Sequence, residues 1–293
     1  MISSEAADVW AAFAAAPKQI SLPLADRRAA GEKAESITSE PRDVSYRDVA
    51  EIDGFVAVPT ETSRGSVLYL FGDGYVLGSP ASRRKTAGHM ASASGAQVFV
   101  ANYRVSPENR FPDAVDDAVA AYEHVLATGS RPEGTVIAGD SSGGGLAAAT
   151  ALALRDRGVA QAAGVVTMSA WADLACDGGT MKSREAADIM ATRDGLLEMA
   201  GWYLNGASPT DPLASPVYAD FTGMPPLLAL AGGDEILLDD SVRLVCGFGE
   251  TSADATLYVG AGMQHVWPTW VGAFPEADAA MQLMGNWIRA HTS

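Results

Sequence analysis

Thr135-Val136-Ile137-Ala138-Gly139-Asp140-Ser141-Ser142-Gly143-Gly144-Gly145 joins a short apolar run to an alanine-rich stretch that continues to Arg155. The run is β-branched and ends at glycine, as a buried strand does, while the stretch after it is rich in strong helix formers. Ser141 therefore stands on a sharp turn between strand and helix. Glycines two residues before and two after it let neighbouring backbone pass close by. The turn holds the hydroxyl at a helix N-terminus, where amide groups and the helix dipole favour developing negative charge. The five-residue pattern is weak evidence by itself, and the flanking strand and helix give it weight.

Working outward, strands are expected over 43–49, 54–58, 66–71, 96–102, 163–168, 226–231 and 255–259. Helices are expected over 79–94, 111–128, 142–157, 194–204, 237–247 and 274–291. This alternation implies an α/β protein with a mostly parallel sheet, helices on both faces, and ligand sites beyond the carboxyl ends of the strands. Two stretches break the rhythm. Residues 1–40 carry Val9, Trp10 and Phe13 at helical spacing, and residues 178–218 mix helix with Pro-bounded loops. Both are expected to form a helical cap on a single domain, 1–293, whose catalytic core is 41–177 and 219–293. An aromatic stripe such as Trp10 and Phe13 is first of all core packing.

The chain has 293 residues, is 48% hydrophobic, and carries 20 Lys and Arg against 36 Asp and Glu, a formal charge of -16. Such a charge repels nucleic acid and anionic membrane surfaces, and neither is expected as a partner. Cys176 and Cys246 are far apart, each in apolar sequence, and read as buried free thiols in a reducing cytoplasm. The N-terminal residues lack the basic region of a signal peptide, and no run of about 18 apolar residues is present to span a membrane. No His/Cys ligand cluster, phosphate loop or dinucleotide fingerprint occurs, so neither metal nor cofactor is expected. Asp116 and Asp117, within a helix, read as a structural network.

A serine hydroxyl needs an imidazole base, and the base needs a carboxylate to hold its tautomer. Of four histidines, His89 and His124 fall in helices and His291 in the tail, whereas His265 follows the strand 255–259. Only His265 is on the productive edge of the sheet. The strand 226–231 runs into Gly232-Gly233-Asp234-Glu235, so either Asp234 or Glu235 can be the acid.

The order Ser141, acid, His265 resembles the bacterial hormone-sensitive-lipase-type esterases of the α/β-hydrolase superfamily. Matching blocks run through the chain: Tyr75-Val-Leu-Gly-Ser79, Tyr103-Arg104, Pro107-Glu108, Phe111-Pro112, Gly139 to Gly144, Pro212-Leu-Ala-Ser-Pro216, Met224-Pro-Pro226, Leu237-Leu-Asp-Asp240 and Gly262-Met-Gln-His265. The resemblance implies a serine carboxylesterase acting on short-chain acyl esters or lactones through an acyl-enzyme, with no cofactor. It also implies that the acid lies ten residues after Pro225 and thirty before His265, which is Glu235, with Asp234 as rival. A homodimer through the last strand and helix is implied too, with Trp267, Trp270 and Trp287 at that face or in the core. Acyl transfer would use the same residues, and some relatives of this fold are ligand-binding receptors without catalysis.

One block departs from the pattern. The oxyanion loop of these esterases reads His-Gly-Gly-Gly, and here it is Phe71-Gly72-Asp73-Gly74. By similarity the oxyanion donors are the amides of Asp73 and Gly74, joined by Ser142, and main-chain donors survive a change of side chain. The new charge matters more. A carboxylate about 6 Å from a developing oxyanion, at an effective dielectric near 20, opposes it by roughly 3 kcal/mol. Asp73 is therefore expected to face away from the oxyanion, pair with Arg83 or Arg84, and fix the loop in place of the absent histidine. Tyr103-Arg104 and Pro107-Glu108 are expected to brace that loop.

Overall fold

Strand alternation sorts the apolar side chains onto two faces of one sheet. In the computed structural model, which describes residues 2–16, 22–61, 65–251 and 253–292, the strands run in the order β1-β2-β4-β3-β5-β6-β7-β8. Their bounds are Val44–Val49 (β1), Gly54–Pro59 (β2), Ser66–Leu70 (β3), Gln97–Val100 (β4), Thr135–Asp140 (β5), Gly164–Met168 (β6), Leu227–Gly232 (β7) and Ala255–Gly260 (β8). β2 is antiparallel to β1 and β4, and the remaining pairs are parallel. Residues 1 and 17–21 of the expected N-terminal cap lie outside the described residues.

Leu68, Leu70, Ile137, Val165, Leu227 and Ala229 enter one apolar layer, and Val67, Tyr69, Val136, Val166, Leu228 and Leu230 the other. Helices α4 (Asp113–Ala127), α5 (Ser142–Asp156), α7 (Arg193–Leu204) and α8 (Leu238–Glu250) contribute to the first layer. Helices α1 (Ser4–Ala15), α3 (Arg84–Ser94) and α9 (Pro275–His291) contribute to the second. Two shorter helices, α2 (Leu24–Gly31) and α6 (Thr180–Ser183), lie in the stretches that interrupt the alternation. Trp10, Trp267 and Trp270 are core residues, and Trp10 meets Phe13, Trp270 and Phe274 ring to ring. Cys176 is buried, but Cys246 is exposed. Leu244 and Phe248 on either side of it turn the inner face of α8 to the core, and a residue midway between them faces out.

The topology sets where chemistry can sit. β4 flanks β3 on one side and β5 on the other, so the strand order reverses at β3. The crevice beyond the carboxyl ends of β3 and β5 is the switch point where ligands bind in open α/β sheets. The two loops that leave those ends are Phe71 to Gly74 and the turn carrying Ser141. No helix among the described residues is long and apolar enough to cross a membrane.

Candidate active site

Ser141 adopts φ 52° and ψ -124°, a strained conformation for a residue with a side chain. The surroundings enforce it. Its amide donates to Met168 O at 2.8 Å, and its carbonyl accepts from Trp171 N at 2.8 Å and Gly144 N at 3.0 Å. A Cβ on Gly143 would run into the carbonyl oxygens of Leu70 and Phe71, and one on Gly139 into Gly143 O. These two glycines let α5 start against the end of β3.

Two other loop tips converge on that hydroxyl. His265 Nε2 lies 3.0 Å from Ser141 Oγ, and His265 Nδ1 lies 3.1 Å from Glu235 Oε2. Glu235 is fully buried, and its other oxygen accepts the Gly232 amide at 3.1 Å. A carboxylate only accepts, so it assigns the proton to Nδ1 and leaves the Nε2 lone pair facing the serine. Asp234 is half-buried, and its amide donates to Met263 O. Burial disfavours the imidazolium, but the hydrogen bond and charge of Glu235, with Asp188 and Asp140 behind, outweigh it and hold His265 above the ordinary histidine value.

Asp73, Gly74 and Tyr75 all have positive φ (78°, 72° and 61°), which wraps the loop over the serine turn. Among the described residues, the amides of Asp73, Gly74 and Ser142 find no protein acceptor. The Tyr75 amide donates to Ser142 Oγ at 3.1 Å and ties the two turns together. Phe71 stacks on Tyr103 with centroids 4.2 Å apart, and the Tyr103 hydroxyl donates to Phe71 O at 2.7 Å. The Ser106 amide donates to Tyr75 O, and Arg28 donates to Val76 O, Ser106 O and Glu108.

The cation beside Asp73 is Arg83, whose Nη2 lies 3.3 Å from Asp73 Oδ1 and 2.7 Å from Asp140 Oδ2. Asp140, fully buried next to Ser141, also accepts the Tyr69 hydroxyl at 2.7 Å and the Gly72 amide at 3.1 Å. Burial works against the guanidinium, yet Asp140 and Asp73 raise its pKa well above the usual value. Arg84 lies instead over the Tyr46 ring. Asp117 holds Arg104, and Asp116 pairs with Arg157.

Sequence reasoning missed Asp188 and Gln264. The buried Asp188 carboxylate accepts the amides of Met190, Ala191 and Ile236, each at 2.8 Å. Gln264 accepts the Ile189 amide and donates to Ala187 O. Residues 187–191 are thereby clamped to the residue after Glu235 and the residue before His265. Asp188 accepts two amides in its own turn but reaches Ile236 only through tertiary packing, and Gln264 bonds to groups 75 and 77 residues away, so neither long-range contact is visible in a local pattern.

A cavity of about 350 Å³ opens onto Ser141, His265, Asp73 and Gly74. Ile189, Met190, Leu196, Met199, Val266 and Trp270 supply an apolar part of its lining, and Arg27, Glu35, Asp73 and Arg83 a polar part. Both interrupting stretches thus contribute walls.

Residues 67–269 match a family described as alpha/beta hydrolase fold. An acetyl-hydrolase of Streptomyces hygroscopicus is 38% identical over 86% of this chain and 90% of that protein. An esterase of Acinetobacter venetianus is 31% identical over 73% of this chain and 71% of its own. Among solved structures, the esterase EstE5 soaked with ethyl alcohol superimposes with a TM-score of 0.94 at 34% identity, covering 99% of both chains. An esterase from the bacterial hormone-sensitive lipase family does so with a TM-score of 0.94 at 33% identity over 100% of both.

Proposed function

The chain belongs to the alpha/beta hydrolase family, and from that premise we propose that this carboxylic ester hydrolase cleaves short-chain acyl esters or lactones through an acyl-enzyme on Ser141. The observation that carries the proposal is the run of two hydrogen bonds from Ser141 through His265 to Glu235, with three amides at the Ser141 end that find no acceptor among the described residues. Ser141 Oγ attacks the carbonyl carbon as His265 Nε2 takes its proton. The tetrahedral oxyanion accepts from the amides of Asp73, Gly74 and Ser142. His265 then returns the proton to the leaving alcohol oxygen, the C–O bond breaks, and water repeats the sequence to release the acid.

Glu235 orients the imidazole and stabilises its cation. Arg83 joins Asp73 to Asp140, so the oxyanion loop is fixed to the residue before the nucleophile. The stretches 1–40 and 178–218 act as the cap, and a cavity of about 350 Å³, at the small end for ligand sites, supports short acyl groups. Turnover of p-nitrophenyl acetate and butyrate by the wild type, set beside Ser141→Ala, is the test. A phosphonate should add to Ser141 and block that turnover. Equal rates for the two proteins would remove the serine mechanism.

A further inference from the structure

Asp73 occupies a position where glycine would be unstrained. At φ 78° a side chain costs on the order of 1 kcal/mol, and aspartate bears it more readily than most residues without removing it. Ion pairing does not account for the residue. Arg83 already meets Asp140 through Nε at 3.0 and 3.1 Å and Nη2 at 2.7 Å, and Asp73 adds a single contact at 3.3 Å. Asp73 Oδ2 is buried with no hydrogen-bond partner among the described residues.

The other charged groups in the lining are engaged. Arg27 donates to Glu198, and both Glu35 oxygens accept amides at the start of α3, those of Lys85 and Thr86. Asp73 has spare acceptor capacity, keeps 25% of its side chain exposed, and lines the cavity together with Ser141. Rotation about Cβ–Cγ of an aspartate is soft, so either oxygen can turn to a ligand.

We propose that Asp73 forms a polar subsite beside the nucleophile that selects esters bearing a hydroxyl close to the scissile bond, an inference that rests on the esterase reading above. A hydroxyl supplies a donor without the desolvation cost of an ammonium ion. Because the Asp73 amide itself faces the oxyanion in that reading, its carboxylate reaches a donor roughly two or three bonds from the carbonyl carbon. The hydroxyl belongs either to the acyl chain or to the alcohol.

Two matched series distinguish these sources: p-nitrophenyl butyrate against p-nitrophenyl 3-hydroxybutyrate, and ethyl butyrate against 2-hydroxyethyl butyrate. In one series the wild type should favour the hydroxylated ester by about tenfold in kcat/KM, as expected for a hydrogen bond to a charged acceptor. The ratio should fall to within about twofold in Asp73→Gly and stay intermediate in Asp73→Asn, which keeps one acceptor oxygen. Ratios within one protein cancel a change in folded fraction and any loss common to both esters. Absence of preference in both wild-type series, or a preference that survives Asp73→Gly, overturns the subsite. Failure of the wild type to cleave any of the four esters would instead overturn the esterase reading.

Discussion

Replacing Glu235 with glutamine changes one atom, and the structure indicates which way the new amide must turn. Glu235 accepts twice, from Gly232 N through Oε1 and from His265 Nδ1 through Oε2. Glutamine offers one acceptor and one donor. If its oxygen faces the imidazole, two N–H donors confront each other in the buried space at Gly232, which costs about 1–3 kcal/mol. If its oxygen faces Gly232, the amide N–H forces His265 to accept at Nδ1 and carry its proton on Nε2, the wrong tautomer for a base. The second arrangement sets no donor against a donor and is favoured.

The lost charge adds a second cost. With charge centres about 4 Å apart and an effective dielectric near 20, glutamate stabilises the imidazolium by about 4 kcal/mol, or roughly three decades in rate. The two terms together put kcat for p-nitrophenyl butyrate about a thousandfold to a hundred-thousandfold below wild type. Asp234→Asn should stay within about threefold, since the imidazole Nδ1 is bonded to Glu235. Glu235→Gln retaining a tenth of wild-type kcat would refute this reasoning, as would an equal loss in Asp234→Asn.

Three further outcomes follow from neighbouring groups. His265 must be neutral to act, and its raised pKa moves the rise of kcat/KM to a pH above the ordinary histidine value of 6.5; Asp188→Asn should shift that midpoint back down, and a midpoint unmoved in the pH profile would argue against the coupling. Arg83→Met strands the Asp140 and Asp73 carboxylates and should lower unfolding free energy by about 3–5 kcal/mol in urea titrations, with kcat falling as well; unchanged stability would show that the network is not a buried ion pair. Gly143→Ala drives a Cβ against the backbone oxygens of Leu70 and Phe71, which cannot yield without parting β3 from α5; the variant should lose at least about 3 kcal/mol, and wild-type melting would contradict the close approach.

The parallel sheet was legible because each strand carries its own signal. Runs such as Thr135 to Ala138 and Leu227 to Ala231 are mostly apolar, short and closed by glycine, a length and boundary that favour buried strand over helix. The meeting of Ser141 and His265 was legible for a related reason: each follows a strand, and the topology of parallel sheets brings such turns to one edge. Which of Glu235 and Asp234 faces the imidazole was not legible from the turn itself, since adjacent carboxylates differ there only in direction, which tertiary packing sets; only the resemblance pointed to Glu235. Cys246 was misjudged because neighbours in sequence are not neighbours on a helix. The long-range contacts of Asp188, Gln264 and Glu35 were not legible, because a carboxylate or carboxamide that bonds to distant backbone looks in sequence like any polar surface residue.

In the proposed mechanism, the loop from Phe71 to Gly74 illustrates why such contacts matter to chemistry. A lone carboxylate in that loop would cost roughly 3 kcal/mol of transition-state stabilisation at about 6 Å. Here a guanidinium lies 3.3 Å from it, so at the oxyanion the two opposite charges act largely as a dipole, whose field falls faster with distance than that of a single charge. Asp140 adds a further negative charge, but its carboxylate is held by Arg83, the Tyr69 hydroxyl and the Gly72 amide. Those same bonds fix Gly72 and Asp73 to the residue beside the nucleophile, work that a polar side chain at position 71 would otherwise share. Phe71 then needs only to pack, which its stacking on Tyr103 accomplishes. On the proposed reading, an aromatic ring and a buried ion pair then hold the loop whose amides face the oxyanion, and Asp73 adds an acceptor to the cavity.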